Sequence, residues 1–313
     1  MLPKMNRRDF VKATALGATM ATAAGMPALP ASAQSAQPIV AKQQIPSGEI
    51  AGMKLGRMML GGNLLTHYTH SRDLRYVYNL AARYNTPEKI FETMRIAEAH
   101  GINAVVIHTA PGVVEGMREY KKQGGKIQWI ICSIAPINEE MAEYTQSCQE
   151  CVDAGVDSLY LWGVQADALL DRPDLIKKAV ATMKSFGVPV GIAAHKLEVV
   201  ELCEKESIRH DYYLKTFHSH NYPSANLNYD SSWCDDPQKV IDVMAKVEKP
   251  WIAYKTMAAG AIPPRAALEY TFVNGADFTV FGMFDYEIDE DTRLLNEVLA
   301  LDSVKNRARK WFG

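Results

Sequence analysis

Eight histidines occur in this 313-residue chain, and six of them, His67, His70, His108, His195, His218 and His220, fall at or just beyond the ends of short apolar runs. Imidazole is the side chain best suited to moving protons near neutral pH and to binding divalent metals. His108, His195 and His218 each close a run, so backbone alternation could aim all three into one cavity. Two readings stand. The three are ligands of a divalent ion, Zn, Mn or Fe, or they bind and deprotonate a polar substrate without one. His195 and His108 are the expected proton-transfer groups. Lys255, in Ala-Tyr-Lys-Thr-Met, is the expected electrostatic stabiliser or base. Lys255 and Lys215, in Tyr-Leu-Lys-Thr-Phe, also raise amine chemistry, since a desolvated lysine loses its proton and can form a Schiff base with a carbonyl. Asn63, Trp162, His220 and Tyr222 occupy neighbouring run ends and loops, where they would orient a substrate.

These residues need a scaffold that brings run ends together. The runs are residues 57–64, 102–109, 127–134, 156–163, 188–195, 211–218, 250–257 and 276–284, separated by helical patterns. Near-continuous apolar runs alternating with helices imply parallel strands covered on both faces. Eight such units over about 230 residues predict an α/β fold of the (β/α)8 TIM-barrel type, whose site lies at the carboxyl ends of the strands. An open doubly wound sheet is the structural rival, but nothing splits the series into halves. Helix punctuation agrees: Thr86 before Pro87 predicts a cap, with Gly101 beyond the helix end, and Asn138-Glu139-Glu140 predicts a helix start that closes at Gly155. Segment 65–85, with His67, Tyr68, His70, Arg72, Arg75, Tyr76 and Tyr78, and segment 219–236, with His220, Tyr222, Tyr229 and Trp233, read as long loops suited to a hydroxyl-rich, carbohydrate-like ligand.

Residues 6–12 read Asn-Arg-Arg-Asp-Phe-Val-Lys, followed by a weakly apolar stretch and Ala31-Ser32-Ala33. This resembles a twin-arginine signal, which implies recognition by the twin-arginine export machinery and a periplasmic or secreted location. The domain reading is a signal over 1–33, a linker over 34–48 and a barrel over 49–313. The apolar segment is too short and weak for a membrane anchor. The signal carries four basic residues and one acid, so its removal takes the net charge from −2 to −5. That excludes a basic footprint for nucleic acid or an anionic membrane surface. Five cysteines, including a lone Cys148-x-x-Cys151, do not make a disulfide framework.

Met58-Met59-Leu60-Gly61-Gly62-Asn63, Ile107-His108-Thr109-Ala110, Leu159-Tyr160-Leu161-Trp162, Met257-Ala258-Ala259-Gly260 and Phe281-Gly282-Met283 resemble strand and turn segments of the aldo/keto reductase superfamily. The resemblance runs from residue 55 to 300 and implies its barrel. It does not carry over the catalytic residues. His108 stands where that family has its aspartate, Cys132 its lysine and Trp162 its histidine, and Pro111-Gly112-Val113-Val114 offers no tyrosine acid. Asp285, Glu287, Asp289, Glu290 and Asp291 crowd the place where such reductases hold NADPH phosphates, so NADP is not expected. The favoured reading is acid/base chemistry (isomerase, lyase or hydrolase) on a small hydroxylated substrate. The alternatives are an NADPH-dependent reductase with a displaced catalytic set and a non-catalytic periplasmic binding protein.

Overall fold

The computed structural model describes residues 41, 43–225, 227 and 229–313. The signal reading over 1–33 and most of the linker lie outside them. A hairpin of β1 (Ser47–Ile50) and β2 (Met53–Gly56) comes first, turned by Ala51 and Gly52 with φ of +47° and +86°. Positive φ at both turn positions matches the twist of antiparallel strands, which is why a glycine stands there. Eight parallel strands follow: β3 (Met58–Gly61), β4 (Ala104–His108), β5 (Gln128–Cys132), β6 (Ser158–Leu161), β7 (Val190–Ala194), β8 (Tyr212–Thr216), β9 (Trp251–Tyr254) and β10 (Phe278–Phe281). They close in the order β10-β3-β4-β5-β6-β7-β8-β9, the expected (β/α)8 barrel. Each predicted apolar run contains one of these strands.

The helices are α1 (Arg75–Tyr84), α2 (Pro87–Ala99), α3 (Val113–Lys122), α4 (Ala142–Asp153), α5 (Gly163–Ala168), α6 (Pro173–Lys184), α7 (Leu197–Lys205), α8 (Pro237–Met244), α9 (Pro264–Val273), α10 (Ile288–Leu299) and α11 (Asp302–Lys305). Thr86 caps α2 as expected, its hydroxyl accepting from the Lys89 amide at 3.3 Å. Asn138 instead organises the turn before α4, accepting from the amides of Glu140 and Met141. Segment 65–85, expected as loop, contains α1. On that helix only Ala81 is buried. No helix among the described residues is long and apolar enough to cross a membrane.

Strand alternation divides the apolar residues into two layers. Met59, Ala104, Val106, Ile130, Cys132, Tyr160, Ala193, Tyr212, Leu214 and Ile252 fill the barrel axis, and Ile50, Met53 and Leu55 of the hairpin join them at the amino-terminal floor. The other parity, including Leu60, Val105, Ile131, Leu159, Ile192 and Tyr213, packs under the helices. Tyr212 leaves room only for hydrogen at Gly191, where a Cβ would meet its ring at 2.2 Å. Asp277, fully buried, binds Arg307 and Arg309 at 2.7 Å each and accepts from the Trp251 and Phe312 amides, which latches the carboxyl-terminal tail to β9 and β10.

Candidate active site

Alternation carries the axial parity up to the mouth: Asn63, His108, Cys132, Trp162, His195 and Tyr254 follow Gly61, Val106, Ile130, Tyr160, Ala193 and Ile252 by two residues. In this ring the best-defined constellation centres on His195. Its Nδ1 lies 2.7 Å from Asp167 Oδ2, while Asp167 Oδ1 accepts from the backbone amides of His195 and Lys196 at 3.1 and 2.9 Å. Asp167 comes from α5, the short helix that starts directly after Trp162. A carboxylate accepting from Nδ1–H fixes the tautomer and leaves Nε2 with its lone pair. Gly163 permits this packing: a Cβ there would stand 3.0 Å from Tyr254 Oη and 3.1 Å from His195 Cε1. Burial lowers the His195 pKa, opposed by the bond to Asp167 and assisted by Lys255 and Lys215, so the ring is held as a neutral base.

Lys255 follows β9 with φ of +61°, and Ala258, Ala259 and Gly260 are also left-handed. Such backbone clusters where surrounding structure imposes it. Its amine donates to Ser231 Oγ and to the Ser232 carbonyl at 3.0 Å. Burial pushes the Lys255 pKa down to about 7, with Asp167 and Asp230 opposing and Lys215 assisting. His70 joins the same group, with Nε2 3.3 Å from Ser231 Oγ and Nδ1 4.0 Å from Asp230 Oδ2. Burial and Lys255 bring its pKa down to about 4. Tyr68 packs edge-on against both His70 and His108, at 5.4 and 5.6 Å between centroids. Between the two mouth loops lies a cleft of about 630 Å³, lined in part by Ser71, Arg72, Arg75, Tyr229 and Asp230. Its lining includes none of His108, Asp167, His195 and Lys255.

The expected metal set does not assemble. Among the described residues no three His, Cys, Asp or Glu side chains are arranged to hold a metal ion. His218 is fully buried and spends both ring nitrogens on backbone: Nδ1 donates to the Ser219 carbonyl at 3.0 Å, and Nε2 accepts from the Cys234 amide at 3.0 Å. It fastens the 219–236 loop. His108 and His195 stay in the mouth ring, His108 half-buried with its pKa lowered by that burial. His220 is likewise committed, its Nε2 donating to the Cys234 carbonyl at 2.6 Å. Tyr222 lies under the Arg72 guanidinium, 5.5 Å from its ring centroid, on the loop side. Asn63 and Trp162 are half-buried in the ring, and the Asn63 carbonyl accepts from Tyr68. Asp167, Asp230 and Ser231 were not anticipated. Asp167 had a faint signal, an acid five residues beyond a strand-ending tryptophan.

Acidic side chains gather after the last barrel strand. After β10, Asp285 accepts from Tyr84 Oη at 2.6 Å and Lys89 Nζ at 3.1 Å, and Glu287 caps the Phe284 amide. Asp291 is pushed up to about 7, first by burial and then by Glu287 and Glu290.

No protein-family model matches this sequence, and no curated protein matches it. Among solved structures, a Pseudomonas aeruginosa protein proposed to be an aldo-keto reductase superposes with a TM-score of 0.57 at 13% identity, over 82% of this chain and 98% of that one. An aldo-keto reductase enzyme from a Medee basin deep-sea metagenome library gives 0.53 at 12%, over 86% and 97%. A soluble mutant of the membrane-associated (S)-mandelate dehydrogenase from Pseudomonas putida gives 0.53 at 12%, over 86% and 82%. Identities this low speak for architecture alone: the chain shares its closed eight-stranded parallel barrel with aldo-keto reductases.

Proposed function

We propose that this chain is an exported barrel enzyme performing acid/base chemistry on a small hydroxylated substrate, with His195 as the base. The observation that carries this reading is the His195–Asp167 pair at 2.7 Å beside Lys255 at the barrel mouth. Asp167 orients the imidazole and stabilises the charge it gains when Nε2 takes a proton. Lys255 and His70 stand where an alkoxide or enolate would develop negative charge, and such preorganised donors lower the barrier most in a water-poor site. Tyr68, an exposed ring, offers surface for the apolar side of a sugar-like ligand. These roles suit isomerisation, elimination or hydrolysis. The export reading rests on Arg7, Arg8 and the residues around them.

The test is solvent deuterium exchange into C–H groups of a panel of hydroxy-aldehydes, hydroxy-ketones and hydroxy acids in heavy water. His195→Ala should slow exchange by about 10²–10⁴, the usual contribution of a general base. Wild-type rates in that variant remove His195 from the mechanism.

A second reading, an NADPH-dependent reductase, has the barrel likeness in its favour, together with Tyr68 as a phenol against His108. The carboxylates after β10 weigh against it. Saturable quenching of NADPH fluorescence by the protein would decide for the reductase.

A further inference from the structure

We propose that Lys255 is a covalent nucleophile, forming an iminium with the carbonyl of a small aldehyde, ketone or 2-oxo acid. The inference rests on the acid/base site described above and adds a bond-forming group to it. Lys255 Nζ is held by one hydroxyl and one carbonyl, Ser231 Oγ and Ser232 O, and by no carboxylate within ion-pair distance among the described residues. Of its three amine directions one is left over. The aromatic face of Trp233, 5.5 Å from Nζ, covers one flank, and Tyr254, at 5.9 Å, another. A lysine placed merely as a charge would be expected beside an acid, as Lys89 is beside Asp285 and Arg307 beside Asp277.

The neighbouring strand supplies the second half of the argument. Lys215 of β8 is 1% exposed, and its amine donates to the His195 carbonyl at 2.6 Å and the Thr216 carbonyl at 3.0 Å. Among the described residues it too lacks an ion-pair partner. By strand parity Lys215 lies on the helix side of β8, so it acts on the mouth through its field. The titratable groups electrostatically coupled to Lys255 are then Lys215 from β8, His195 from β7 and His70 from the loop after β3, against Asp167 from α5 and Asp230 from the loop after β8. Burial without a carboxylate partner is the condition that frees a lysine amine to attack carbonyl carbon near neutral pH, and Lys255 meets it between Trp233 and Tyr254.

The step balances as follows in atoms and charge. The neutral Lys255 nitrogen bonds to the carbonyl carbon while the π pair moves to oxygen, and the nitrogen passes a proton to that oxygen. The resulting hydroxyl leaves as water with one further proton, drawn from solvent through the His195 imidazole, and the nitrogen lone pair closes the C=N⁺ bond. Neutral Nε2 of His195 then takes a proton from the carbon next to the iminium, which is the acid/base step proposed above. No oxidant or reductant is consumed.

Reductive trapping tests it. The full chain is incubated at pH 7.5 with glyceraldehyde, dihydroxyacetone or pyruvate, treated with sodium cyanoborohydride, digested and mapped by mass spectrometry. The expected result is an adduct at Lys255 at least ten-fold more abundant than at the exposed Lys122, with the Lys255 site unmodified in Lys255→Arg and carbon–deuterium exchange lost with it. Lys255→Met serves as a second variant, with circular dichroism to show that each is folded. Labelling of Lys255 no greater than that of Lys122 with all three compounds overturns the proposal. Exchange that depends on His195 but survives in Lys255→Met overturns covalent attack and keeps the acid/base reading. An adduct at Lys255 with exchange indifferent to His195→Ala does the reverse.

Discussion

Asp167→Asn is the most incisive perturbation of the site, because it preserves shape and removes one charge. The carboxylate accepts three bonds, from His195 Nδ1 and from the amides of His195 and Lys196. Hydrogen bonds to a charged group contribute about 1.5–3 kcal/mol and neutral ones about 0.5–1.5, so neutralising the acceptor costs roughly 1 kcal/mol per bond. The Asp167 side chain is only 12% exposed, so little of this is lost to solvent screening, and about 2–3 kcal/mol is the expected destabilisation. At roughly 2–4 °C per kcal/mol for domains of similar size, Tm falls by about 5–10 °C. The chemical consequence is larger. An amide turned to donate to Nδ1 forces the proton onto Nε2, and the base is lost; in a serine protease the equivalent change costs about 10⁴ in rate. Removing Asp167 also removes the main influence that raises the His195 pKa, so the imidazole should titrate lower than in the parent. Long-range ¹H–¹⁵N correlation spectra report tautomer and titration together, and deuterium exchange reports the rate. An Asp167→Asn protein whose His195 keeps its Nδ1 proton, its titration midpoint and its exchange rate would refute the proposed pairing.

Other expectations follow from the same geometry. Lys255 has its folded-state pKa depressed from 10.5 to about 7, so between those values the unfolded chain binds more protons and stability rises with pH. Thermal melts should therefore show Lys255→Met more stable than the parent near pH 7, by a margin that shrinks as pH approaches 10; a margin constant over that window would contradict a depressed amine. His218→Ala strands the Cys234 amide and opens a cavity, which should cost about 2–4 kcal/mol. Added Zn or Mn should leave the Tm of the parent unchanged. A metal-dependent rise in Tm abolished by His218→Ala would restore the ligand role that the geometry denies it.

The architecture was legible because parallel strands buried on both faces write themselves as unbroken apolar runs, and Thr86-Pro87 marks a helix start whatever surrounds it. The floor hairpin passed unnoticed although its signal was present: Ile50, Met53 and Leu55 alternate around Ala51-Gly52, a two-residue turn with a glycine. Only Ser47 and Gly48 fell in the linker reading; the rest lay inside the barrel reading, ahead of its first apolar run at residue 57, and was given no element. Helix α1 was read as loop although Arg75, Asn79 and Arg83 recur every four residues along one face; its Tyr76, Tyr78, Leu80 and Tyr84 are exposed, so the pattern does not mark a buried stripe.

The site shows what strand-end reasoning can reach and where it stops. Parity counts reliably while the backbone stays extended, so His108 and His195, each two residues past an axial side chain, join the mouth ring. His218 has the same parity as Leu214 and Thr216, but β8 ends at Thr216, and beyond that point the hydrogen bonds to Ser219 and Cys234 set the ring's direction. Lys255 departs in the opposite sense. Its parity, one past axial Tyr254, would turn it toward the helices, and a left-handed φ at that residue sets it instead against Ser231 and Trp233 over the mouth. Asp167 has no parity to count, since it hangs from a helix. What decides the chemistry is thus the first residue after each strand at which the backbone stops alternating, and that is fixed by contacts between loops distant in the sequence.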